Sequence, residues 1–470
     1  MGSGKTALAH SICQYAQEND CLISGFFFSR LRPEESTPRH LFGALIRGLC
    51  RVGKDVRNAI TRILQDDDTL PVASPTRQFE QVILPICPLL PKATPLVVVV
   101  DALDEGYDKD LLKILRDGVP LLPPNLCIVV STRPEGLIMS WLEDAPHVQR
   151  LSQSLVHTQD THQDIIRYIH DRFGNPPFQT FNFPPKLIKE FGHRCEGVFL
   201  WAEVIITYLE GLLNPEKALK SILDATSEPH RRRDWGVEKK LDDLYDQILT
   251  RLTWSDESVR SAYRVFMGAV VTLKEPVSLN ALIALYASRP TDVEPEDLVQ
   301  IAKLLRPLLD NFYPTALDRP IRLLHLSARD FLTLRVAPSK PYHLDIEECN
   351  RVMAQLTLST IERDLKPDLP MLGYTAGDDN WDFLHIPRVP KLPPATISDH
   401  LAYSCRFFVD HVVCSGNEDL IPVSWLCDIL LHHSRPLVEL TAVMGKVVNI
   451  GEVRMWIEVR SHSVLCDPLC

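Results

Sequence analysis

The first residues of the chain are of the types that bind phosphate. Gly4, Lys5 and Thr6 fill the last three positions of the pattern G-x-x-x-x-G-K-[ST], in which backbone N–H groups and a lysine surround nucleotide phosphates. We expect Lys5 to reach the β- and γ-phosphates and the Thr6 hydroxyl to ligate Mg²⁺. Apolar spacing predicts a helix over Thr6–Gln17, whose N-terminus attracts anions. The first glycine of the pattern, and the strand leading into the loop, would lie upstream of Met1. The alternative is a glycine turn that caps an ordinary helix.

A second stretch, Leu96–Glu105 (LVVVVDALDE), supplies acidic groups that could work on the same phosphates. Four consecutive valines predict a parallel strand that is covered on both faces. Asp101 ends this strand at the carboxyl edge, where open α/β sheets bind ligands, and we expect it to hold Mg²⁺ through water. Asp104 and Glu105 follow closely and are candidates to orient or deprotonate an attacking water. A strand followed by an acidic turn without function is the alternative.

Further strands predict the sheet that must position these groups. Leu22–Ser29 and Leu126–Thr132 are rich in β-branched and aromatic residues, and His147–Leu151 is predicted as a last strand. Arg133 follows the second of these strands, and its fixed charge and forked donors suit contact with a γ-phosphate. Strands that alternate with helices predict an α/β fold with a doubly wound parallel sheet, of which the first strand is missing.

Composition limits the class of protein. The 470 residues are 45% hydrophobic and 24% charged, which is typical of several globular domains. The formal charge of −11 argues against a general nucleic-acid binder. The sequence does not begin with the charged segment and apolar core of a secretory signal. The richest apolar run, Val198–Leu209, is too short to span a bilayer. Twelve scattered cysteines without a C-x-x-C pair indicate reduced thiols, so we expect a cytoplasmic protein.

The remaining chain is predicted to be mainly helical. Helical spacing is found in Asp160–Phe173 and Leu241–Leu252, and the stretch Cys195–Ala202 opens a long apolar helix. Val277–Ala287 and Leu298–Leu309 are predicted helices that precede a hairpin, the order of a winged helix. A loop is predicted from 340 to 394. The helices predicted after it, at 396–413, 421–432 and 436–443, suggest an α-superhelix without a clear repeat.

The segment from Gly2 to about Leu151 resembles a NACHT domain of the STAND class of P-loop NTPases, closest to the nephrocystin-like form of fungi. The resemblance rests on GSGKTALA, on the strand ending DALDE, and on the strand ending STRPE. It implies that Gly2, Ser3, Gly4, Lys5, Thr6 and Ala7 form the Walker A loop around ATP or ADP. It also implies that Asp101 is the Walker B carboxylate. Ala102 stands where ordinary ATPases usually carry a glutamate, and the acidic pair is displaced to Asp104 and Glu105.

Two later stretches extend the resemblance. HLSARDFL begins at His325 and is similar to a motif of NACHT receptors in which the histidine reaches the β-phosphate of ADP. From the residues alone, a histidine that hydrogen-bonds the backbone at a helix start is the alternative. The stretch CEGVFLWA, from Cys195, is also similar to the family. Related receptors often carry a proline nearby that packs on adenine. This sequence has none, so the base preference stays open and GTP is not excluded.

These observations predict four domains: an incomplete NACHT domain at 1–155, a helical domain at 156–235, a winged-helix domain at 236–338 and a helical tail at 339–470. The resemblance implies a signalling switch that ADP holds closed and that ATP opens. It also implies Mg²⁺ as cofactor, other proteins as partners and homo-oligomers on activation. Slow NTP hydrolysis is compatible with these residues, whereas no nucleic acid and no membrane span are expected. The alternatives are an inactive, truncated NACHT protein that acts as a scaffold, and a P-loop kinase or other transferase.

Overall fold

The computed structural model describes residues 4–29, 36–133, 136–150, 159–225, 237–287, 293–310, 312–367, 397–416, 421–445 and 453–458, together with 369, 372–373, 389–390 and 451. The chain divides into two compact units, residues 1–231 and residues 232–470. The finer division into four domains stays a prediction.

The first unit is built on a parallel sheet of three strands. They are β1 (Leu22–Phe27), β2 (Leu96–Asp101) and β3 (Leu126–Val130), in the order β1-β2-β3. Both pairs are parallel, and Val98 lies opposite Ser24 on one side and Ile128 on the other. The valines of β2 are largely buried because this strand is central, as their run predicts. The prediction of an α/β part is therefore confirmed.

Helices cover this sheet. They are α1 (Lys5–Glu18), α2 (Pro38–Leu49) and α3 (Lys54–Asp66), followed by short helical segments between Pro75 and Leu89, at Lys109–Gly118 and at Gly136–Leu142. Helix α2 approaches β1 so closely that a Cβ on Gly48 would lie 2.0 Å from the carbonyl oxygen of Ile23. Only glycine fits at that position.

Among the described residues, four further helices belong to the first unit: α4 (Gln159–Gly174), α5 (Pro185–Cys195), α6 (Phe199–Leu209) and α7 (Pro215–Ala225). Aromatic rings pack between them, and the rings of Phe173 and Phe183 stack with centroids 4.0 Å apart. Arg172 on α4 donates to Glu203 and Glu210 of the α6 region at 2.6 and 2.8 Å, which ties the two helices together.

The second unit starts with two helices and a small antiparallel sheet. In chain order it has α8 (Val237–Thr250), α9 (Glu257–Thr272), β4 (Val277–Ser278), α10 (Leu279–Tyr286), α11 (Pro295–Leu304), β5 (Leu309–Asp310) and β6 (Pro320–Leu323). The strands lie in the order β4-β6-β5. A one-turn helix, Leu326–Asp330, follows directly.

Three long helices follow in the described part of the second unit: α12 (Ile346–Asp364), α13 (Asp399–Val413) and α14 (Val423–Val443). Their apolar faces share one core, which includes Leu358, Phe408 and Leu440. The prediction that helices follow the α/β part is confirmed. Within the described residues, no helix has the length and apolar character needed to cross a membrane.

A buried polar chain joins α12 to α13. Tyr403 donates its hydroxyl proton to Nε2 of His411 at 2.7 Å, and Nδ1–H of His411 donates to Oδ1 of Asn350 at 2.9 Å. The backbone N–H of Lys274 donates to the Tyr403 oxygen at 3.1 Å. Burial, and to a lesser extent the charge of Lys274, lowers the pKa of His411 to about 3, so the ring is neutral.

Several predicted elements differ from the structure, and the helices predicted at 421–432 and 436–443 are one helix, α14. Residues 147–150 are not a strand, because Val148 already turns back to the carbonyl of Ala145, and Leu151 lies outside the described residues. The apolar helix begins at Phe199 and not at Cys195, because Glu196 and Gly197 interrupt it with positive φ angles. The loop predicted from 340 to 394 contains α12.

Candidate functional site

Gly4 sets the geometry at the start of α1. Its φ of +80° lies in the left-handed region that favours glycine, and its carbonyl accepts the N–H of Leu8 at 2.8 Å. Lys5, Thr6 and Ala7 form the first turn, where backbone N–H groups have no partners within the helix and bind anions well. Lys5 is half-buried and Ala7 is exposed. Gly2 and Ser3 lie outside the described residues.

The start of α1 meets the carboxyl end of β2. The Thr6 hydroxyl donates to Oδ2 of Asp101 at 2.7 Å, although the two residues are 95 positions apart. Asp101 is only 2% exposed. A threonine hydroxyl and an aspartate carboxylate are oxygen donors of the kind that Mg²⁺ prefers, with water and phosphate oxygens as its other ligands. These two side chains, predicted from distant parts of the sequence, are therefore in direct contact.

Ser131 is a third member of this cluster, to which sequence reasoning gave no role. Its hydroxyl donates to the other carboxylate oxygen of Asp101 and accepts the N–H of Ala102 at 3.1 Å. Ala102 has a φ of 53°, a strained conformation for a residue with a side chain. The signal that could have identified Ser131 is its place as the first polar residue after β3, beside the end of β2.

Arg133 lies against the acidic pair that follows β2. Its backbone N–H donates to Oδ1 of Asp104 at 2.9 Å, and its Nε lies 3.3 Å from Oδ2 of the same carboxylate. Its Nη2 lies 3.9 Å from Oε1 of Glu105. The three side chains are 23%, 2% and 18% exposed, respectively. Arg133, which was predicted to contact a phosphate, thus forms one ion-paired cluster with Asp104 and Glu105, which were predicted to act on a water molecule.

The structure brings most of the predicted residues of the first unit to one edge of the sheet. Asp101, Asp104 and Arg133 lie at or just beyond the carboxyl ends of β2 and β3, and α1 brings Thr6 to them. Within the described residues, no group of three or more His, Cys, Asp or Glu side chains is arranged to hold a metal ion.

His325 belongs to the second unit, where it caps the one-turn helix Leu326–Asp330. Its Nδ1 accepts the backbone N–H of Ser327 at 3.0 Å and lies 2.8 Å from the Ser327 hydroxyl. The buried hydroxyl of Tyr245 is 2.9 Å from that same Ser327 oxygen. Because Nδ1 accepts, a neutral ring carries its proton on Nε2. The contact of His325 with the Ser327 backbone is the alternative that the sequence left open, a histidine that hydrogen-bonds the backbone at a helix start. The contact of His325 with a β-phosphate stays a prediction.

A comparison with protein families matches the first part of the chain. Residues 1–133 match the family model described as nephrocystin 3, N-terminal. The chain has no match among the curated proteins. The matched segment runs from the start of the chain to Arg133, so it contains the α1 start, Asp101, Ser131 and the acidic pair. The nephrocystin-like part of the sequence resemblance is thereby confirmed for this segment.

Proposed function

We propose that this chain is a nucleotide-binding signalling switch of the STAND class, with a NACHT-type P-loop NTPase domain that binds ATP or ADP with Mg²⁺. The observation that carries the proposal is the 2.7 Å hydrogen bond from Thr6 to Asp101. It joins a Gly-Lys-Thr helix start to an aspartate at the carboxyl edge of a parallel sheet, which is where such folds bind ligands.

The chemistry of each residue follows from its place at this edge. The first-turn N–H groups of α1 and the Lys5 ammonium would bind the phosphates, since both offer positive charge. Thr6 and Asp101 would hold Mg²⁺, whose charge would neutralise the phosphate oxygens. Ser131 holds the Asp101 carboxylate from its other side and so fixes its direction. The metal would supply charge neutralisation, and the protein would supply the position.

Hydrolysis, in this proposal, is slow. Asp104 and Glu105 both lie against the Arg133 guanidinium, which would compete with a water molecule for their oxygens. A γ-phosphate at the same edge would compete with these carboxylates for the guanidinium, because Arg binds both kinds of oxygen with its forked donors. Exchange of Arg133 between acid and phosphate is the step that would distinguish ATP from ADP.

The switch would also involve His325 in the second unit, for which the sequence predicts a winged helix. Nε2 of His325 carries the proton of a neutral ring and could donate to a β-phosphate. To move a switch from 1:99 to 99:1, ATP must prefer the open form by about 5.5 kcal/mol. Charge-assisted hydrogen bonds contribute about 1.5–3 kcal/mol each, so two to four of them suffice. ATP exchange would then permit homo-oligomers.

Binding of labelled ATP and ADP to the full chain tests the proposal. Lys5→Ala should lower the affinity for both nucleotides at least tenfold, because the ammonium contacts phosphate oxygens. Lys54→Ala is a matched control, since Gly53-Lys54 also starts a helix but Gly53 has an extended backbone. Equal, weak binding by wild type and Lys5→Ala would refute the proposal and leave the scaffold as the better interpretation.

A further inference from the structure

Helices α2 and α3 carry a concentration of positive charge to which the proposed function assigns no role. Residues 38–62 contain six arginine and lysine residues and one acidic residue, Asp55, in a chain whose formal charge is −11. All six cationic side chains are exposed, and in the described part of the chain none of them forms an ion pair. Together they form the basic face, which consists of Arg39, Arg47, Arg51, Lys54, Arg57 and Arg62.

The fold places these cations on the solvent side of two neighbouring helices. Leu45 of α2 and Ile60 of α3 are buried in the core of the first unit, on the opposite sides of their helices. Nε of Arg57 donates to the carbonyl of Cys50 at 3.0 Å, so the first turns of α3 lie beside the end of α2. The cations at the end of one helix are therefore close to those at the start of the next.

Helix stability does not account for this distribution of charge. The dipole favours Arg47 in the last turn of α2, but Arg39 lies in the first turn of that helix and Lys54 is the first residue of α3. Cations near a helix N-terminus are unfavourable, because the dipole is positive at that end. Like charges spaced as Lys54 and Arg57 are also repel each other. These side chains weaken the helices that carry them, which favours a ligand outside the chain.

We propose that the basic face binds the surface of a membrane that contains anionic phospholipids. Five of its six cations are arginines, whose forked donors match phosphate oxygens. The exposed side chains of residues 38–62 are all polar or charged, so this face has no apolar anchor of the kind that usually holds a protein or peptide partner. A layer of mobile anionic headgroups needs no such anchor, because each phosphate can move to a cation.

The acidic balance of the whole chain is compatible with this binding. At physiological ionic strength exposed charges are screened beyond about 8 Å, so a membrane surface responds to the nearest side chains. The basic face would therefore determine both the binding and its orientation, although the formal charge of the chain is −11. Because the attraction is electrostatic, it should weaken as salt is added.

Flotation of the full chain with lipid vesicles tests the inference. Wild type should bind vesicles of equal parts phosphatidylcholine and phosphatidylserine, should not bind phosphatidylcholine alone, and should be released by added salt. The variant Arg39→Gln/Arg47→Gln/Arg51→Gln/Arg62→Gln should bind roughly 100-fold more weakly or worse, since each cation near an anionic surface contributes about fivefold. Arg57 is retained because its hydrogen bond to Cys50 joins the two helices.

A second quadruple variant is the matched control, because it loses the same charge elsewhere. It replaces by glutamine four arginines that are more than half exposed and ion-paired, namely Arg150, Arg167, Arg322 and Arg454. It should bind vesicles like wild type. The smaller variant Arg47→Gln/Arg51→Gln should lose roughly 25-fold and keeps the test valid if the first quadruple variant does not fold.

Three outcomes would overturn the inference. Wild type could bind phosphatidylcholine as well as the mixed vesicles, or the two quadruple variants could lose affinity equally, in which case net charge and not the basic face decides. Alternatively, duplex DNA or polyglutamate could bind through the same arginines more tightly than the mixed vesicles do, and the face would then recognise nucleic acid or protein. ATP affinity should be equal in all these variants, so the inference and the proposed function fail independently.

Discussion

Replacement of Arg133 by glutamine should destabilise the edge of the sheet even without nucleotide. The Asp104 carboxylate is 2% exposed, and it has Nε of Arg133 at 3.3 Å and the Arg133 backbone N–H at 2.9 Å. Arg133→Gln removes the positive charge and retains the backbone donor. Asp104 would then be a buried carboxylate with its charge no longer balanced by the guanidinium.

The magnitude follows from the burial of the pair. Removal of one partner from a fully buried ion pair costs about 3–5 kcal/mol. The Arg133 side chain is 23% exposed and the backbone hydrogen bond remains, so we expect about 1–3 kcal/mol. Asp104→Asn in the same chain should recover most of this loss, because the amide oxygen still accepts the N–H of residue 133 and no buried charge remains.

Hydrogen exchange of the β2 and β3 amides is the appropriate assay, because a chain of two units need not unfold in one step. Arg150→Gln is the control: Arg150 pairs with Glu143 at 2.9 Å, but both side chains are more than half exposed, so its loss should matter little. The ion-paired cluster does not stabilise this edge if the amides exchange as slowly in Arg133→Gln as in Arg150→Gln. The same conclusion holds if adding Asp104→Asn to Arg133→Gln does not restore the protection of these amides.

Two other predictions concern stability. The pKa of His411 in the folded chain is about 3, against an ordinary value of 6.5, so the unfolded chain takes up a proton first as the pH falls. Stability should therefore drop by about 2 kcal/mol from pH 7 to pH 5, and His411→Gln should flatten this slope in urea unfolding, whereas the exposed His432→Gln should not. Gly48→Ala should cost about 3 kcal/mol or more, because its Cβ would overlap the carbonyl oxygen of Ile23. Gly43→Ala on the same helix is the control, because the nearest atom to a Cβ on Gly43 is an arginine nitrogen 3.7 Å away, and this variant should be neutral or stabilising in thermal unfolding. Equal melting temperatures for the two glycine variants would contradict the close approach of α2 to β1.

The sheet and its polar edge were predictable because they depend on strong local signals. The β-branched runs before Asp101 and before Ser131 favour parallel strands, of which the one before Asp101 is buried and the one before Ser131 is mostly half-buried. Parallel strands end at a common edge, so the polar residues that follow them must lie near one another. The contact of Thr6 with Asp101 agrees with this reasoning.

Which polar residues pair with one another at that edge of the sheet was not predictable from their spacing in the sequence. Sequence reasoning gave Arg133 to a phosphate and the acidic pair to a water molecule, but the Arg133 guanidinium lies 3.3 Å from Asp104 and 3.9 Å from Glu105 and attracts both carboxylates. The role of Ser131 depends on the pairing register of β2 and β3, which spacing alone does not give. The start of the helix at Phe199 follows a left-handed backbone at Glu196, and a glutamate in a sequence does not indicate that conformation.

Helix α12 was missed although its signal was present. The prolines and glycines that suggest a loop from 340 to 394 all lie outside Ile346–Asp364, which contains neither residue type. Asp345 precedes it and accepts the N–H groups of Glu347 and Glu348, an N-cap of the usual kind. Averaging composition over a long segment hid a helix that its cap and its own residues specify.

The central claim is that Thr6 and Asp101 hold the same nucleotide-bound metal ion, and a double-mutant cycle on ATP affinity, with and without Mg²⁺, tests it most directly. Thr6→Val and Asp101→Asn should each remove the Mg²⁺-dependent part of the affinity, and the double variant should lose no more than the worse single variant, since the two ligands act on one ion. Thr6→Ser, which keeps the hydroxyl, should bind like wild type. Additive losses, or an Mg²⁺ dependence that survives in both single variants, would contradict the account.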